Sequence, residues 1–159
     1  MTLHIGEKVP SITLPASSGK EISLEDYKGK NIVLYFYPKD MTPGCTTEAC
    51  DFRDLSEEWE KANAVVLGVS PDPLKKHEAF IEKHGLPFPL LSDEEKTAAE
   101  AFGVWQLKKT FGKEYMGIVR STFLINEEGI LVKEWRNVRV KNHAEQVLHS
   151  LKESSGHEG

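Results

Sequence analysis

A chain of 159 residues is long enough for one well-buried core and short for two, and its 39% hydrophobic content is that of an ordinary folded domain, so disorder is excluded and a single domain over 1–159 is expected. Twenty Lys+Arg against 25 Asp+Glu give a net charge of −5, with no basic run longer than a pair such as Lys108-Lys109, which argues against a nucleic-acid partner. No run of about 18 apolar residues could cross a membrane, and Met1-Thr2-Leu3-His4 does not begin a signal peptide, so a cytoplasmic protein is expected.

In chain order, residues 11–14 and 21–24 flank the turn formers Ser17-Ser18-Gly19 and read as a small N-terminal hairpin. Residues 31–38 form an unbroken apolar run rich in β-branched and aromatic types, which reads as a central strand ending at Pro38. A second such run covers 64–69. Between the two, Cys45, Ala49, Phe52, Leu55, Trp59 and Ala62 recur at helical spacing, while Glu48, Asp51, Arg53, Asp54, Glu57, Glu58 and Glu60 fill the opposite, solvated face. This is a βαβ unit, and its strands should be parallel.

Residues 73–84 read as an amphipathic helix and 94–102 as a short one, whereas 103–117 is ambiguous. Residues 119–125 and 130–135 read as an antiparallel hairpin across Asn126-Glu127-Glu128-Gly129. A helix over 142–152 closes the chain, and the polar tail 153–159 is expected to fray. The order predicts an α/β, thioredoxin-like fold: a mixed central β-sheet with helices on both faces and an extra N-terminal hairpin.

Two cysteines in a reducing compartment are not needed as a staple in a domain of this size, so they call for a chemical account. Thr42 suits an N-cap and Pro43 the first helical position, which puts Gly44 second and Cys45 third. There a thiol lies among unpaired backbone N–H groups at the positive end of the helix dipole, which favours the thiolate and makes a reactive nucleophile. The alternative is a small buried hydrophobe on the helix stripe. A closed zinc site would want about four ligands, and two cysteines without a C-x-x-C or paired-His spacing do not supply them.

The six histidines read as surface residues, and Trp105 and Tyr37 as core. Arg120, inside an apolar strand-like run, needs an anionic partner. A thiolate could be that partner, and so could solvent or a surface carboxylate at a strand edge. Glu48 reads as a first-turn carboxylate that favours the helix dipole and lies outside the site.

The pattern Pro38-x-x-x-Thr42-x-x-Cys45, with Arg120 in Val119-Arg120-Ser121-Thr122-Phe123, resembles the active site of the peroxiredoxins. Gly44-Cys45-Thr46-Thr47-Glu48-Ala49-Cys50 is typical of their bacterioferritin comigratory protein, or peroxiredoxin Q, subgroup, and the likeness runs from about Val9 to Leu151. The resemblance implies a thiol-dependent peroxidase that reduces hydrogen peroxide and organic hydroperoxides. In it Cys45 is the peroxidatic cysteine, Cys50 resolves it as an intramolecular disulfide, Thr42 and Arg120 assist, and Pro38 lines the substrate pocket. It further implies no metal or organic cofactor, recycling by thioredoxin or a similar dithiol donor, and a monomer. Two other classes remain: a disulfide reductase or isomerase of the same fold, which usually carries C-x-x-C, and a binding module in which Cys45 only senses redox state.

Overall fold

The computed structural model describes residues 3–17 and 19–156 and opens with the antiparallel hairpin β1 (Thr13–Pro15) and β2 (Glu21–Ser23). Ser18, in the expected turn, lies outside the described residues. A 3-10 turn over Leu24–Tyr27 follows, opened by a reciprocal capping box between Ser23 and Asp26. The apolar run forms β3 (Asn31–Phe36), and β4 (Ala64–Ser70) pairs with it in parallel, so the βαβ unit is present.

Between those strands the helical pattern divides into α1 (Pro43–Asp54) and α2 (Ser56–Lys61), where a single helix was expected. The break has a local cause. The Phe52 carbonyl accepts from the Leu55 N–H at 3.3 Å and from the Trp59 indole Nε1 at 2.9 Å, which tightens the last turn of α1. Next come α3 (Leu74–His84), closed by Gly85 in the left-handed region at φ 60°, then β5 (Leu90–Ser92) and α4 (Thr97–Ala101). The sequence gives little sign of β5, which is three residues long and follows Pro89.

The ambiguous stretch forms a second hairpin, β6 (Trp105–Thr110) and β7 (Lys113–Ile118). Its turn residues Phe111 and Gly112 both have positive φ, 51° and 78°, as a two-residue hairpin turn of matching twist requires. Phe111 is not a residue that announces such a turn. β8 (Ser121–Ile125) and β9 (Leu131–Trp135) form the expected antiparallel pair. Val119 and Arg120 stand outside β8, although the strand was expected to include them. The Val119 N–H instead donates to Val104 at 2.8 Å, and the Arg120 carbonyl accepts from Val138 at 2.9 Å. Finally α5 (His143–Gly156) continues beyond 152 into the tail expected to fray, supported by the His149–Glu153 pair at 3.0 Å one turn apart. Residues 157–159 of that tail are outside the described part.

The main sheet has the order β5-β4-β3-β8-β9, with β3, β4 and β5 parallel and β8 and β9 antiparallel to their neighbours, a mixed sheet as expected of the thioredoxin-like fold. Alternation along β3 divides two cores. Ile32, Leu34 and Phe36 face the N-terminal hairpin and α4, with Ala98, Ala99 and Phe102. Val33 and Tyr35 face α1, α2, α3 and α5 through Ala49, Phe52, Trp59, Phe80 and Val147.

The sheet is closely packed beneath α1. A Cβ at Gly68 would stand 2.7 Å from Leu90 Cδ2 and 2.9 Å from Tyr35 Cζ, and neither side chain is free to retreat, since both are fully buried. Gly68→Ala is therefore expected to destabilise the protein by about 1–3 kcal/mol through overpacking, read as a lower urea midpoint at unchanged slope. An unchanged midpoint would contradict the packing of Tyr35 over Gly68.

Candidate active site

β3 delivers the chain to one end of the sheet, where half-buried Pro38 begins a tight loop leading into α1. The loop is anchored from below. Asp40 is buried: its backbone N–H donates to Asp72 Oδ2 at 2.7 Å, and its carboxylate accepts from Tyr37 Oη at 2.5 Å. His77 Nδ1 lies 2.6 Å from the other Asp40 oxygen, and His77 Nε2 donates to the Leu91 carbonyl at 3.0 Å. His77 is thus a buried brace from α3, where a surface residue was expected. Asp40, Asp72 and His77 are the one group of potential metal ligands among the described residues, and each is already engaged in these hydrogen bonds.

Thr42 occupies the N-cap position of α1 with extended backbone (φ −81°, ψ 152°), and Pro43 is the first helical residue, so Cys45 is third as expected. The cap itself is not made. Thr42 Oγ1 turns back and donates to the Lys39 carbonyl at 2.9 Å, leaving the helix start without a side-chain cap. The hydroxyl therefore braces the loop, and its lone pairs remain free to accept.

Cys45 is buried, 1% exposed, on the stripe with Ala49 and Phe52. Arg120 approaches from the segment before β8, 75 residues away, and Nη2 donates to Cys45 Sγ at 3.1 Å. Of the alternatives open for Arg120, the fold supplies the sulfur, together with a buried carboxyl group from the same helix. Gly44 makes room for the guanidinium, because a Cβ there would meet Arg120 Nη2 at 3.3 Å. Arg120 Nη1 donates to Glu48 Oε1 at 2.6 Å, so the guanidinium spans the sulfur and a carboxyl group. Burial works against the charge on Arg120, but Glu48 and Cys45 outweigh it, and its pKa is raised.

Glu48 corrects the sequence reading. It was assigned to the solvated face and left out of the site, yet it is 1% exposed. Position 48 is three residues after Cys45 and four before Phe52, so it falls on the buried stripe, and periodicity could have flagged it. Burial pushes its carboxyl up from 4.5 to about 7 despite the opposing pull of Arg120. Its Oε2 and the hydroxyl of fully buried Tyr35 are buried polar atoms with no hydrogen-bond partner among the described residues. Tyr35 is raised well above 10 by burial first, then by Glu48 and Cys45.

His143 is also buried, not on the surface as expected. Its Nε2 is 2.7 Å from Thr122 Oγ1, and its ring meets Phe52 and Trp135 edge-on. Burial, followed by Arg120, lowers it from 6.5 to about 4.

Cys50 lies in the same helix as Cys45, and both thiols are free. It is half-buried, with Sγ 3.9 Å from His84 Nδ1 at the end of α3, so it is turned away from the Arg120 cluster. Cys45, Arg120 and Glu48 therefore meet at one point, Thr42 and Pro38 belong to the loop before it, and Cys50 stands apart.

The AhpC/TSA family model matches residues 5–134. The chain is 62% identical to Peroxiredoxin Bcp of Bacillus subtilis over 155 residues, covering 98% of this chain and 99% of that protein. It is 50% identical to a putative peroxiredoxin Bcp of Coxiella burnetii, covering 95% of this chain and all of that protein. Among solved structures, a peroxiredoxin Q of Xylella fastidiosa matches with a TM-score of 0.92 at 41% identity, covering 98% of this chain and 99% of that one. The bacterioferritin comigratory protein of Xanthomonas campestris, whose structures address alkyl peroxide reduction, matches with a TM-score of 0.87 at 46% identity, covering 90% and 91%.

The raised carboxyl fixes a sign for stability. Between pH 4.5 and about 7 the folded chain keeps a Glu48 proton that the unfolded chain releases, so this contribution is fully present below 4.5 and is lost as pH rises through 7. Glu48→Gln should therefore gain stability relative to wild type as pH increases across that window, measured by urea midpoints of the reduced proteins. A difference independent of pH would show that Glu48 is ionised throughout.

Proposed function

The chain belongs to the AhpC/TSA family, in the Bcp group of its peroxiredoxins, and from that membership we propose that Cys45 is the peroxidatic nucleophile and Cys50 its resolving partner. The overall activity is thiol-dependent reduction of peroxides. The observation that carries the assignment is the 3.1 Å contact from Arg120 Nη2 to a cysteine sulfur at the third position of a helix.

The Cys45 thiolate attacks one peroxide oxygen in line with the O–O bond. The S–O bond forms, the O–O bond breaks, and hydroxide or alkoxide departs, leaving a sulfenic acid. Sulfur is intrinsically nucleophilic, so the protein's work is to place the peroxide and stabilise charge on the departing oxygen. Arg120 is already at the sulfur and donates to that oxygen. Thr42, whose proton is given to the Lys39 carbonyl, offers a lone pair to the peroxide O–H. Pro38 lines the approach. A low thiol pKa alone would not give fast turnover, because nucleophilicity falls with it, so leaving-group stabilisation supplies the rest.

Cys50 then attacks the sulfenic sulfur, the S–S bond forms and water leaves. A thioredoxin-type dithiol reduces the disulfide. The substrates are hydrogen peroxide and organic hydroperoxides, in keeping with the alkyl peroxide work on the Xanthomonas relative. The protein acts as a cytoplasmic monomer, as one domain over 1–159, without metal or organic cofactor.

Peroxide consumption with dithiothreitol as donor is the direct test. Cys45→Ser should lose turnover completely, whereas Cys50→Ser should complete one reduction event and then hold a sulfenic acid, seen by mass in a single-turnover experiment. If Cys50→Ser proved as inert as Cys45→Ser, the division of roles would be wrong. Insulin reduction without peroxide consumption would favour a disulfide reductase, and neither activity a redox-sensing module.

Resolution demands a change of shape. Residues five apart in a helix are separated by ~140° of rotation, with Cα atoms ~8.6 Å apart, beyond the ~7 Å a disulfide spans. The two sulfurs can therefore join only after the first turns of α1 unwind. Hydrogen-exchange protection is expected to fall at residues 45–51 on oxidation. Equal protection in both states, with the disulfide confirmed by mass, would mean that α1 bridges the pair intact.

A further inference from the structure

One cation at this site faces two acids. Arg120 gives one nitrogen to Cys45 Sγ at 3.1 Å and the other to Glu48 Oε1 at 2.6 Å, while Cys45 and Glu48 are each 1% exposed. The groups facing Glu48 are few. Asp51 on its own helix is a further negative charge, Tyr35 from β3 is neutral, and His143 on α5 acts on Arg120 and is held uncharged. A thiolate and a carboxylate together would leave one net negative charge buried, at a cost that proteins avoid by neutralising one group. The atom that would carry the surplus is identifiable: Glu48 Oε2 is buried and has no hydrogen-bond partner among the described residues, so it is poorly placed to be half of an anion.

We propose, resting on the assignment of Cys45 as nucleophile, that Glu48 holds the proton given up by the Cys45 thiol, and that it releases that proton when Cys45 is oxidised. The reduced site is then thiolate, guanidinium and carboxylic acid, with no net charge. Cys45 and Glu48 share one proton on either side of Arg120. Burial, which lifts the Glu48 carboxyl to about 7, makes it able to accept that proton near neutrality.

The step balances. Cys45 thiolate, Glu48 carboxylic acid and ROOH become Cys45 sulfenic acid, Glu48 carboxylate and ROH. The S–O bond forms as the O–O bond breaks, sulfur is oxidised by two electrons, and the peroxide is reduced. The peroxide's own proton stays on the sulfenic oxygen, and the departing alkoxide takes the Glu48 proton. The driving force is electrostatic: once sulfur is neutral, the whole charge of Arg120 is available to the carboxylate. The same residue therefore permits the thiolate before the reaction and compensates the guanidinium after it.

Infrared difference spectroscopy reads this directly. Full-length Cys50→Ser protein, reduced and held near pH 6, is mixed with one equivalent of hydrogen peroxide, and the oxidised-minus-reduced spectrum is recorded. The expected result is loss of one carboxylic acid carbonyl band with gain of carboxylate absorption, both missing in Cys50→Ser carrying Glu48→Gln. The rate of peroxide reduction against pH is the second readout. Wild type should fall about tenfold per pH unit on its alkaline limb as Glu48 loses its proton, and Glu48→Gln should lack that limb. Peroxide consumed with no carboxylic acid band lost overturns the proton role and leaves the peroxidase assignment standing. Failure of the Cys50→Ser protein to consume its one equivalent overturns both. Glu48→Gln that retains the alkaline limb overturns the proton role, because a purely structural Glu48 would not set it.

Discussion

A guanidinium held between a sulfur and a carboxyl group is the constraint on which this end of the molecule is built. Arg120 passes close over Gly44, where a Cβ would stand 3.3 Å from Nη2, and it reaches Cys45 from a segment that leaves the sheet ladder at Val119 and Arg120 before β8 begins. The Val119 N–H is held by the Val104 carbonyl and the Arg120 carbonyl by the Val138 N–H, so the segment that aims the side chain is fixed from two sides. An ion cluster this buried is poor evidence of stability, since desolvation consumes much of the attraction. Its worth is chemical: it keeps a positive charge beside a sulfur from which water is largely excluded.

The helix start and the loop before it carry the rest. Two parallel strands end on the same side, and the chain turns there into α1 without a cap from the Thr42 side chain. Thr42 was expected to cap the helix, but its hydroxyl braces the loop at Lys39. The helix dipole is thereby left to act on Cys45. Below the loop, Tyr37, Asp40, Asp72 and His77 tie β3, β4 and α3 to one another in a buried hydrogen-bonded network, so the position of Thr42 is set by the core. Positioning of this kind is what thiolate chemistry asks of a protein, because the nucleophile itself needs little help.

Resolution pulls in the opposite direction. Cys50 packs beside His84 and faces away from the thiol that it meets in the proposed cycle. In the proposed cycle, a site rigid enough to place a peroxide is thus carried on a helix that must open before Cys45 and Cys50 can join. The division of the expected single helix into α1 and α2 at Leu55 bears on this, because the segment to be unwound is limited at its far end by a break that the Trp59 indole already holds in place.

The sequence by itself determined the strands β3, β4, β8 and β9, the N-terminal hairpin and the helix start, because apolar runs, alternation and a Thr42-Pro43-Gly44 approach are local signals. It also placed Cys45 at the third helical position, which is a matter of counting. It did not determine β5, three residues after a proline, or the β6–β7 turn, where Phe111 takes a left-handed conformation that its own type disfavours. The burial of His77 and His143 was decided only by tertiary structure, and so was the pairing of Glu48 with Arg120, although helical spacing already put position 48 on the buried stripe. For a polar residue both depend on which partner arrives from elsewhere in the chain, and Arg120, Asp40 and Thr122 lie 72, 37 and 21 residues away from Glu48, His77 and His143 respectively. A sequence shows which groups can react, while the pairing that tunes them is a property of contacts between distant segments.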